Sequence, residues 1–318
     1  MNRIMLGLIT IALVLAVAGQ TLQAAELAPD EVMVHYPVGY THLLMADLGS
    51  LLGDQALSQG LIDPLQRARQ PLGEIISTLS LLRIDPQTVG VAAMGEGPGL
   101  TSFAYVEGPG AQTVLPALQG LQGAVGAPGS PFTNWKQERI GGLPVVFTGG
   151  LFGPVKIQWA FIVEPQAFWI GTEVAFSGEP DVARLRASTQ KIIARYLGQV
   201  KPMAELLTAR DLRGGQIAFI RVSDPTRDKP LFAGEAVMGF SARITGKSIK
   251  VKFQLRFNTP AQAQAALEQL QAGRSSYLSA QLYRAKLARV LYGGRTPGFQ
   301  VQTDVTGLVG LLLLTMPF

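Results

Sequence analysis

The chain has 318 residues, a net charge of +5 at pH 7, 47% hydrophobic and 15% charged residues, and no cysteine. This composition excludes a disordered chain, because disorder requires low hydrophobicity and high charge. The absence of cysteine excludes disulfides and a lipid-modified cysteine. With 36 glycines and 20 prolines, the chain favours hairpins over a helical bundle.

Residues 1–25 are predicted to be a cleaved signal peptide. Arg3 precedes an apolar run over residues 4–17, and small residues offer cleavage after Ala18 or Ala24. The run is shorter than the roughly 18 to 20 residues of a membrane-spanning helix. We therefore expect an exported protein, periplasmic or extracellular, and most typical of a bacterial envelope. The alternative is an uncleaved segment that keeps the protein at a membrane.

Charge is divided unevenly along the chain. Residues 26–180 contain 6 Lys and Arg against 14 Asp and Glu, whereas residues 181–318 contain 20 against 8. The halves could attract each other, or the basic half could present a surface to phospholipid, lipopolysaccharide or another anionic polymer. The alternative is a basic surface that only keeps the second half soluble.

The first half alternates strand patterns with helical ones and ends in hairpins. Strands are predicted at 41–47, 89–94 and 101–108, and helices at 48–60, 63–82 and from Ala111 to Leu121. After a glycine-rich loop over 123–134, strands are predicted at 135–140, 143–148, 155–164 and 167–172, with turns at 141–142, 149–154 and 165–166.

The second half repeats strands followed by helices. The clearest helix runs from Glu179 to Leu197, with acids at its start and cations toward its end. Strands are predicted at 215–223, 235–244 and 248–258, followed by a helix with Thr259 as N-cap, a helix over 275–293, and 14 final residues packed on the core.

This order predicts an α+β fold made of two modules, an acidic one over 26–178 and a basic one over 179–318. Each module is expected to be an antiparallel sheet covered by helices on one face. The strand "IKVKFQLRF" alternates strictly, which places one set of side chains in the core and the other in water. The core set is Ile249, Val251, Phe253, Leu255 and Phe257.

The succession of segments resembles a family of uncharacterised bacterial exported proteins. The shared features are a tyrosine-proline start in "HYPVGYTHLL", a "DP" before a strand pair, a glycine with a hairpin in "ERIGGLPVVF", and a late strand before an alanine-rich helix in "VKFQLRFNTPAQAQAALEQL". The resemblance implies fold and export. That family has no agreed activity or catalytic residues, so none is carried over.

His35 and His42 are the only histidines. A zinc site needs three or four ligands, and no short helical spacing joins these histidines to each other or to nearby acids. A serine triad would have to use one of the same two side chains as its base. We therefore predict that this stretch opens the first strand, and that the chain binds no metal and no cofactor.

Other catalytic patterns are incomplete. Ser188 and Lys191 form an S-x-x-K without its companion motifs, and "TGKS" at 245–248 and "GEGPGL" at 95–100 fit hairpin turns better than phosphate loops. Paired carboxylates need no fixed spacing. A hydrolase whose site is assembled only in three dimensions therefore stays an alternative.

The remaining candidate is a basic strand face. Lys250, Lys252 and Arg256 share one side of a predicted strand, and Arg243 lies on its hairpin partner. Such a face would bind an anionic envelope component or a membrane surface. Nucleic acid is not expected, because the strand's aromatic side chains point to the core. The alternative is a solvated face that discourages aggregation.

The sequence therefore predicts a non-catalytic, exported envelope protein that acts by binding or scaffolding. Besides a hydrolase, a carrier of an apolar ligand is an alternative, because the chain is rich in leucine and phenylalanine. The sequence identifies no protein partner.

Overall fold

The structure is a computed structural model. It describes residues 27–53, 76, 79–80, 84–96, 101–108, 111–123, 125–126, 132–152, 155–194, 203–223, 230, 232–245, 248–271, 287–293 and 296–303. The predicted signal peptide, nearly all of the predicted helix over 63–82, and the last 14 residues lie outside the described residues.

The described part of the chain forms one antiparallel sheet of twelve strands in the order β11-β12-β10-β9-β8-β1-β2-β3-β7-β6-β5-β4. The strands are β1 His42–Asp47, β2 Val91–Glu96, β3 Ser102–Glu107, β4 Phe132–Ile140, β5 Leu143–Phe152, β6 Val155–Val163, β7 Ala167–Ala175, β8 Ile217–Val222, β9 Glu235–Thr245, β10 Ser248–Phe257, β11 Leu287–Gly293 and β12 Thr296–Thr303.

Six α-helices are described: α1 Pro29–Met33, α2 Leu48–Gly53, α3 Ala111–Gln122, α4 Val182–Ala194, α5 Met203–Asp211 and α6 Pro260–Gln271. The predicted N-cap of α6 is confirmed, because Thr259 Oγ1 accepts the Gln262 N–H at 3.3 Å while Gln262 Oε1 accepts the Thr259 N–H at 3.1 Å. Among the described residues, no helix is long and apolar enough to cross a membrane.

Helices cover both faces of the sheet, so the predicted one-sided cover is wrong. In β1, Leu44 and Ala46 join one buried cluster with α2, α3 and α6, on what we term face A. Leu43 and Met45 join a second cluster with α1, α4 and α5, on face B. The central strands are apolar on both sides, as in sheets buried between two layers.

A single sheet runs through both predicted modules. Leu44 of β1 lies opposite Met94 of β2 on one side and Phe219 of β8 on the other. The first strand therefore joins strands from the two halves of the sequence. The division into 26–178 and 179–318 stays a prediction.

The segment 149–154 was predicted to be a turn, but β5 continues through Phe152. Gly149 leaves room for polar side chains from the two neighbouring strands: a Cβ there would lie 2.6 Å from Asn134 Nδ2 and 3.0 Å from Gln158 Oε1, so these side chains would have to shift. A glycine inside a strand often marks such a close approach. The predicted turn at Gly141 and Gly142 is confirmed, with φ of 57° and 85°.

Two predictions near the C-terminus differ from the structure. Residues 287–293 were predicted to be helical but form β11, which pairs with β12, a strand that was not predicted. Short apolar runs such as "LARVLYG" fit either period, and tertiary pairing decides between them. Helix α5 was also missed, because the positions it buries include Glu205, Thr208 and Ala209 and give no apolar stripe.

Asp47 ends β1 and directly precedes α2, where its Oδ1 accepts the Ser50 N–H at 3.0 Å. Burial raises the pKa of this carboxyl above its ordinary value of 3.8. The folded state therefore binds the proton more tightly than the unfolded state, so this group's contribution to stability falls as pH rises above that value.

We expect Asp47→Asn to gain stability relative to the natural protein as pH rises from about 3 to about 7, because the amide cannot ionise and still accepts the capping hydrogen bond. Urea unfolding of both proteins at each pH measures the difference. A difference that stays constant across this range would show that Asp47 ionises as easily when folded as when unfolded.

Candidate anion-binding face

Two cations of the predicted basic face lie directly opposite each other. Arg243 of β9 and Lys250 of β10 are register partners on face B, and both are exposed. Like charges directly opposite on one face of a sheet are destabilising. The two exposed cations therefore lie close enough to contact one anionic group together.

The other two predicted residues hold a helix to the sheet. Lys252 Nζ donates to the Asp211 carbonyl at 2.8 Å. Arg256 donates from Nε to Thr208 Oγ1 at 2.9 Å and from Nη2 to Asp211 Oδ2 at 2.6 Å. The four cations thus separate into a structural pair under α5 and an exposed pair beside it.

Helix α5 lies close to the sheet because β9 has a glycine beneath it. A Cβ on Gly239 would lie 2.7 Å from Leu212 Cδ1 and 2.9 Å from Thr208 Cγ2. The cation of Lys252 at the C-terminal end of α5 also interacts favourably with the helix dipole. The close approach at Gly239 and the contact of Lys252 with the end of α5 explain why α5 covers part of the polar face of β10.

Arg213, just after α5, is also structural. Its guanidinium donates to both carboxylate oxygens of Asp30 at 2.6 Å and to Glu31 Oε1 at 3.0 Å, which ties α1 to α5. This hydrogen-bonded guanidinium holds the pKa of Asp30 below its ordinary value. Arg213 is therefore compensated by acids and does not add to the exposed basic pair.

The two histidines lie on opposite faces of the sheet. His42 shares face A with Leu44, and its Nδ1 lies 3.0 Å from Thr41 Oγ1. His35 stacks on Tyr105 of face B, with ring centroids 4.8 Å apart. They cannot share a metal or act in one site, and "THLLMAD" opens the first strand as predicted. The described residues contain no group of three potential metal ligands.

Ser188 and Lys191 do not form a nucleophile and base pair. Ser188 is buried in α4, and its Oγ accepts the Thr101 N–H at 3.2 Å, whereas Lys191 is exposed. The serine faces the sheet and the lysine faces solvent. Thr245 ends β9, Ser248 begins β10, and the two residues are register partners, which agrees with the interpretation of "TGKS" as a hairpin turn.

Two buried carboxylates, those of Glu235 and Glu173, were not predicted from the sequence. Glu235 accepts from Arg221 Nη2 at 2.6 Å and from Ser223 Oγ at 3.1 Å. Glu173 accepts from Arg184 at 2.7 and 2.6 Å and from Thr101 Oγ1 at 2.6 Å. Their partners come from other strands, from residues beside those strands or from a helix, so no sequence spacing signals these contacts. Each carboxylate is compensated by an arginine.

Comparison with known proteins gives similarity of structure alone. No family model matches the sequence, and no curated protein matches it. The solved structure of TP0453 in crystal form I is similar with a TM-score of 0.47 and 10% identity, over 89% of this chain and 97% of that chain. Crystal form IV gives a TM-score of 0.44 at 10% identity, over 92% and 98%. Similarity at this level assigns neither family nor activity.

Proposed function

We propose that this chain is an exported, non-catalytic envelope protein that binds an anionic partner through Arg243 and Lys250. The observation that carries the proposal is the direct opposition of these two exposed cations on β9 and β10. A phosphate group placed between them would accept charge-assisted hydrogen bonds from both side chains. The fitting partners are phospholipid headgroups and phosphorylated envelope polymers.

The location rests on the sequence of the first 25 residues, with an early cation, an apolar run and small residues. Mass spectrometry of the protein recovered from the cell envelope tests this location. A mature N-terminus after Ala18 or Ala24 would support export with cleavage, and an intact Met1 would contradict cleavage.

Binding is preferred to catalysis because, among the described residues, the candidate catalytic side chains named from the sequence are held apart. His35 and His42 occupy opposite faces, and Ser188 is turned away from Lys191. A carrier of an apolar ligand draws no support from face B at β2, because a Cβ on Gly95 would lie 2.4 Å from the Tyr36 ring. That space is filled by aromatic rings.

The test compares two double variants, each of which removes two positive charges. Arg243→Gln/Lys250→Gln changes the proposed pair. Lys156→Gln/Lys191→Gln is the control and removes cations at the other end of the sheet. The ion pair of Lys156 with Glu179 lies at the surface and is weak, so its loss should cost little stability. We expect the first variant to lose on the order of tenfold in affinity for vesicles containing anionic phospholipid at low salt, since each cation contributes roughly 1 kcal/mol. The second is expected to lose less than about twofold.

Cosedimentation with vesicles of phosphatidylcholine, with and without phosphatidylglycerol, measures these affinities. High salt should abolish the binding because it screens exposed charges. Equal losses in the two variants would show that net charge, not this pair, governs binding. Equal binding to neutral and anionic vesicles would contradict the proposal altogether.

A further inference from the structure

Among the described strands, β4 is the outermost at its end of the sheet. In the part of the chain that the structure describes, its neighbour is β5 alone. It is nine residues long, "FTNWKQERI", with a bulge near Phe132 and Asn134 and no proline. An edge strand of this length offers unpaired backbone groups to another strand.

The geometry of the turn after β4 shows which backbone groups of β4 point away from β5. Gly141 and Gly142 both have positive φ, as in the two-residue turn that closes a tight hairpin. In such a hairpin the flanking residues, Ile140 and Leu143, form a hydrogen-bonded pair, and hydrogen-bonded pairs alternate along the ladder. The N–H and C=O groups of Trp135, Gln137 and Arg139 therefore point away from β5.

The side chains of β4 are complementary to an antiparallel copy of themselves. When Gln137 lies on the twofold axis, Lys136 is opposite Glu138 of the second copy, and the same pair recurs by symmetry. Trp135 then lies opposite Arg139 of the second copy, an arrangement suited to cation–π contact. Both pairs keep their members on one face of the extended sheet, because their positions alternate correctly.

Registers centred on a charged residue are unfavourable. A twofold axis at Lys136, Glu138 or Arg139 places identical charges directly opposite each other, which is destabilising. A shift by one residue sets outward-facing backbone groups against inward-facing ones, so the ladder cannot form. The register centred on Gln137 satisfies both the ladder and the charges.

We propose that two copies of this chain pair antiparallel along β4, with Gln137 on the twofold axis. Lys136, Gln137 and Arg139 are exposed in the single chain and available for this contact. A lysine on an edge strand ordinarily discourages pairing. Here Glu138, two residues further along, lies on the same face and carries the opposite charge; within its own chain it contacts Arg186 at 2.7 Å and Lys136 at 3.5 Å, so the contact with the second copy would add to these ion pairs. The isologous contact joins two sheets into one.

The first experiment uses a proline that blocks only the outer side of β4. The N–H of Gln137 points away from β5, so Gln137→Pro should preserve the β4–β5 ladder while removing the central intermolecular hydrogen bonds. Gln137→Thr retains the N–H and serves as its control. Sedimentation velocity up to on the order of 100 µM protein is expected to show a dimer for the natural protein and for Gln137→Thr, with at least a tenfold weaker dimer for Gln137→Pro.

The second experiment tests the register and uses the absence of cysteine in the natural chain. On the axis, the two copies of residue 137 have Cα atoms about 5.5 Å apart, within disulfide range. Residue 133 lies four positions from the axis, which separates its two copies by roughly 27 Å. Mild oxidation is expected to cross-link Gln137→Cys and not Thr133→Cys.

A natural protein that stays monomeric at these concentrations would overturn the proposal, as would a dimer that Gln137→Pro leaves unchanged. Equal cross-linking of the two cysteine variants would overturn the register. Circular dichroism checks that Gln137→Pro is folded. If it is not, the cysteine pair decides, because both substitutions are at exposed positions of the same strand.

Discussion

Replacing Arg221 with methionine is expected to lower the free energy of unfolding by about 3 to 5 kcal/mol. The substitution leaves Glu235, whose side chain is 0% exposed, without the guanidinium that donates to it at 2.6 Å. A buried carboxylate without its cation pays desolvation with no compensating attraction. Urea unfolding at neutral pH measures the loss.

The double variant Arg221→Met/Glu235→Met separates the charge from the packing. Removing both members of a buried ion pair is often nearly neutral, because neither charge is left uncompensated. We expect the double variant to recover most of the stability that Arg221→Met loses. A double variant as unstable as the single one would show that Arg221 acts through packing. Arg139→Met, at an exposed position, is expected to change stability by less than about 0.5 kcal/mol.

The second large effect is expected at Trp169. Its side chain is fully buried on face B, with ring centroids 4.8 Å from Tyr105 and 5.0 Å from Tyr36. Its Nε1 also donates to Glu164 Oε1 at 2.7 Å. Trp169→Ala removes these contacts and leaves a cavity, so we expect a loss of about 3 to 5 kcal/mol.

Trp135→Ala is the matched control because it removes the same side chain from the edge strand β4, where Trp135 is only partly buried. Denaturant unfolding of both variants is expected to show a clearly smaller loss for Trp135→Ala, since less apolar area is involved. Similar losses would mean that the Tyr36 and Tyr105 rings close over the space that Trp169 leaves.

The strands of the first half, apart from the start of β4 and the end of β5, were predictable because they depend on local signals. Gly141 and Gly142 between β-branched and aromatic residues indicate a hairpin, and the structure forms one there. The alternation in β10 also located its core side, since Val251, Phe253 and Leu255 are buried on face A. The alternation in β10 did not indicate that helices cover both faces of the sheet. Its other side is polar, although α5 lies over it.

The candidate basic face was only partly predictable. The alternation placed Lys250, Lys252 and Arg256 on one side, and Lys252 and Arg256 proved to contact α5. Helix α5 gave no periodic signal in the sequence, so its position over β10 was not predictable. The buried pair of Arg221 and Glu235 was hidden for a related reason, since its members meet only when β8 and β9 align.

The central position of β1 also constrains the order in which the protein can be completed during synthesis. Leu44 and Phe219 face each other from about 175 positions apart, a separation that favours slow pairing. In a chain that emerges N-terminus first, from a ribosome or across a membrane, β2 to β7 precede β8, and β1 must wait with one side unpaired. Such a waiting apolar strand is prone to aggregation, so the nascent chain needs protection until Ile217–Val222 is made.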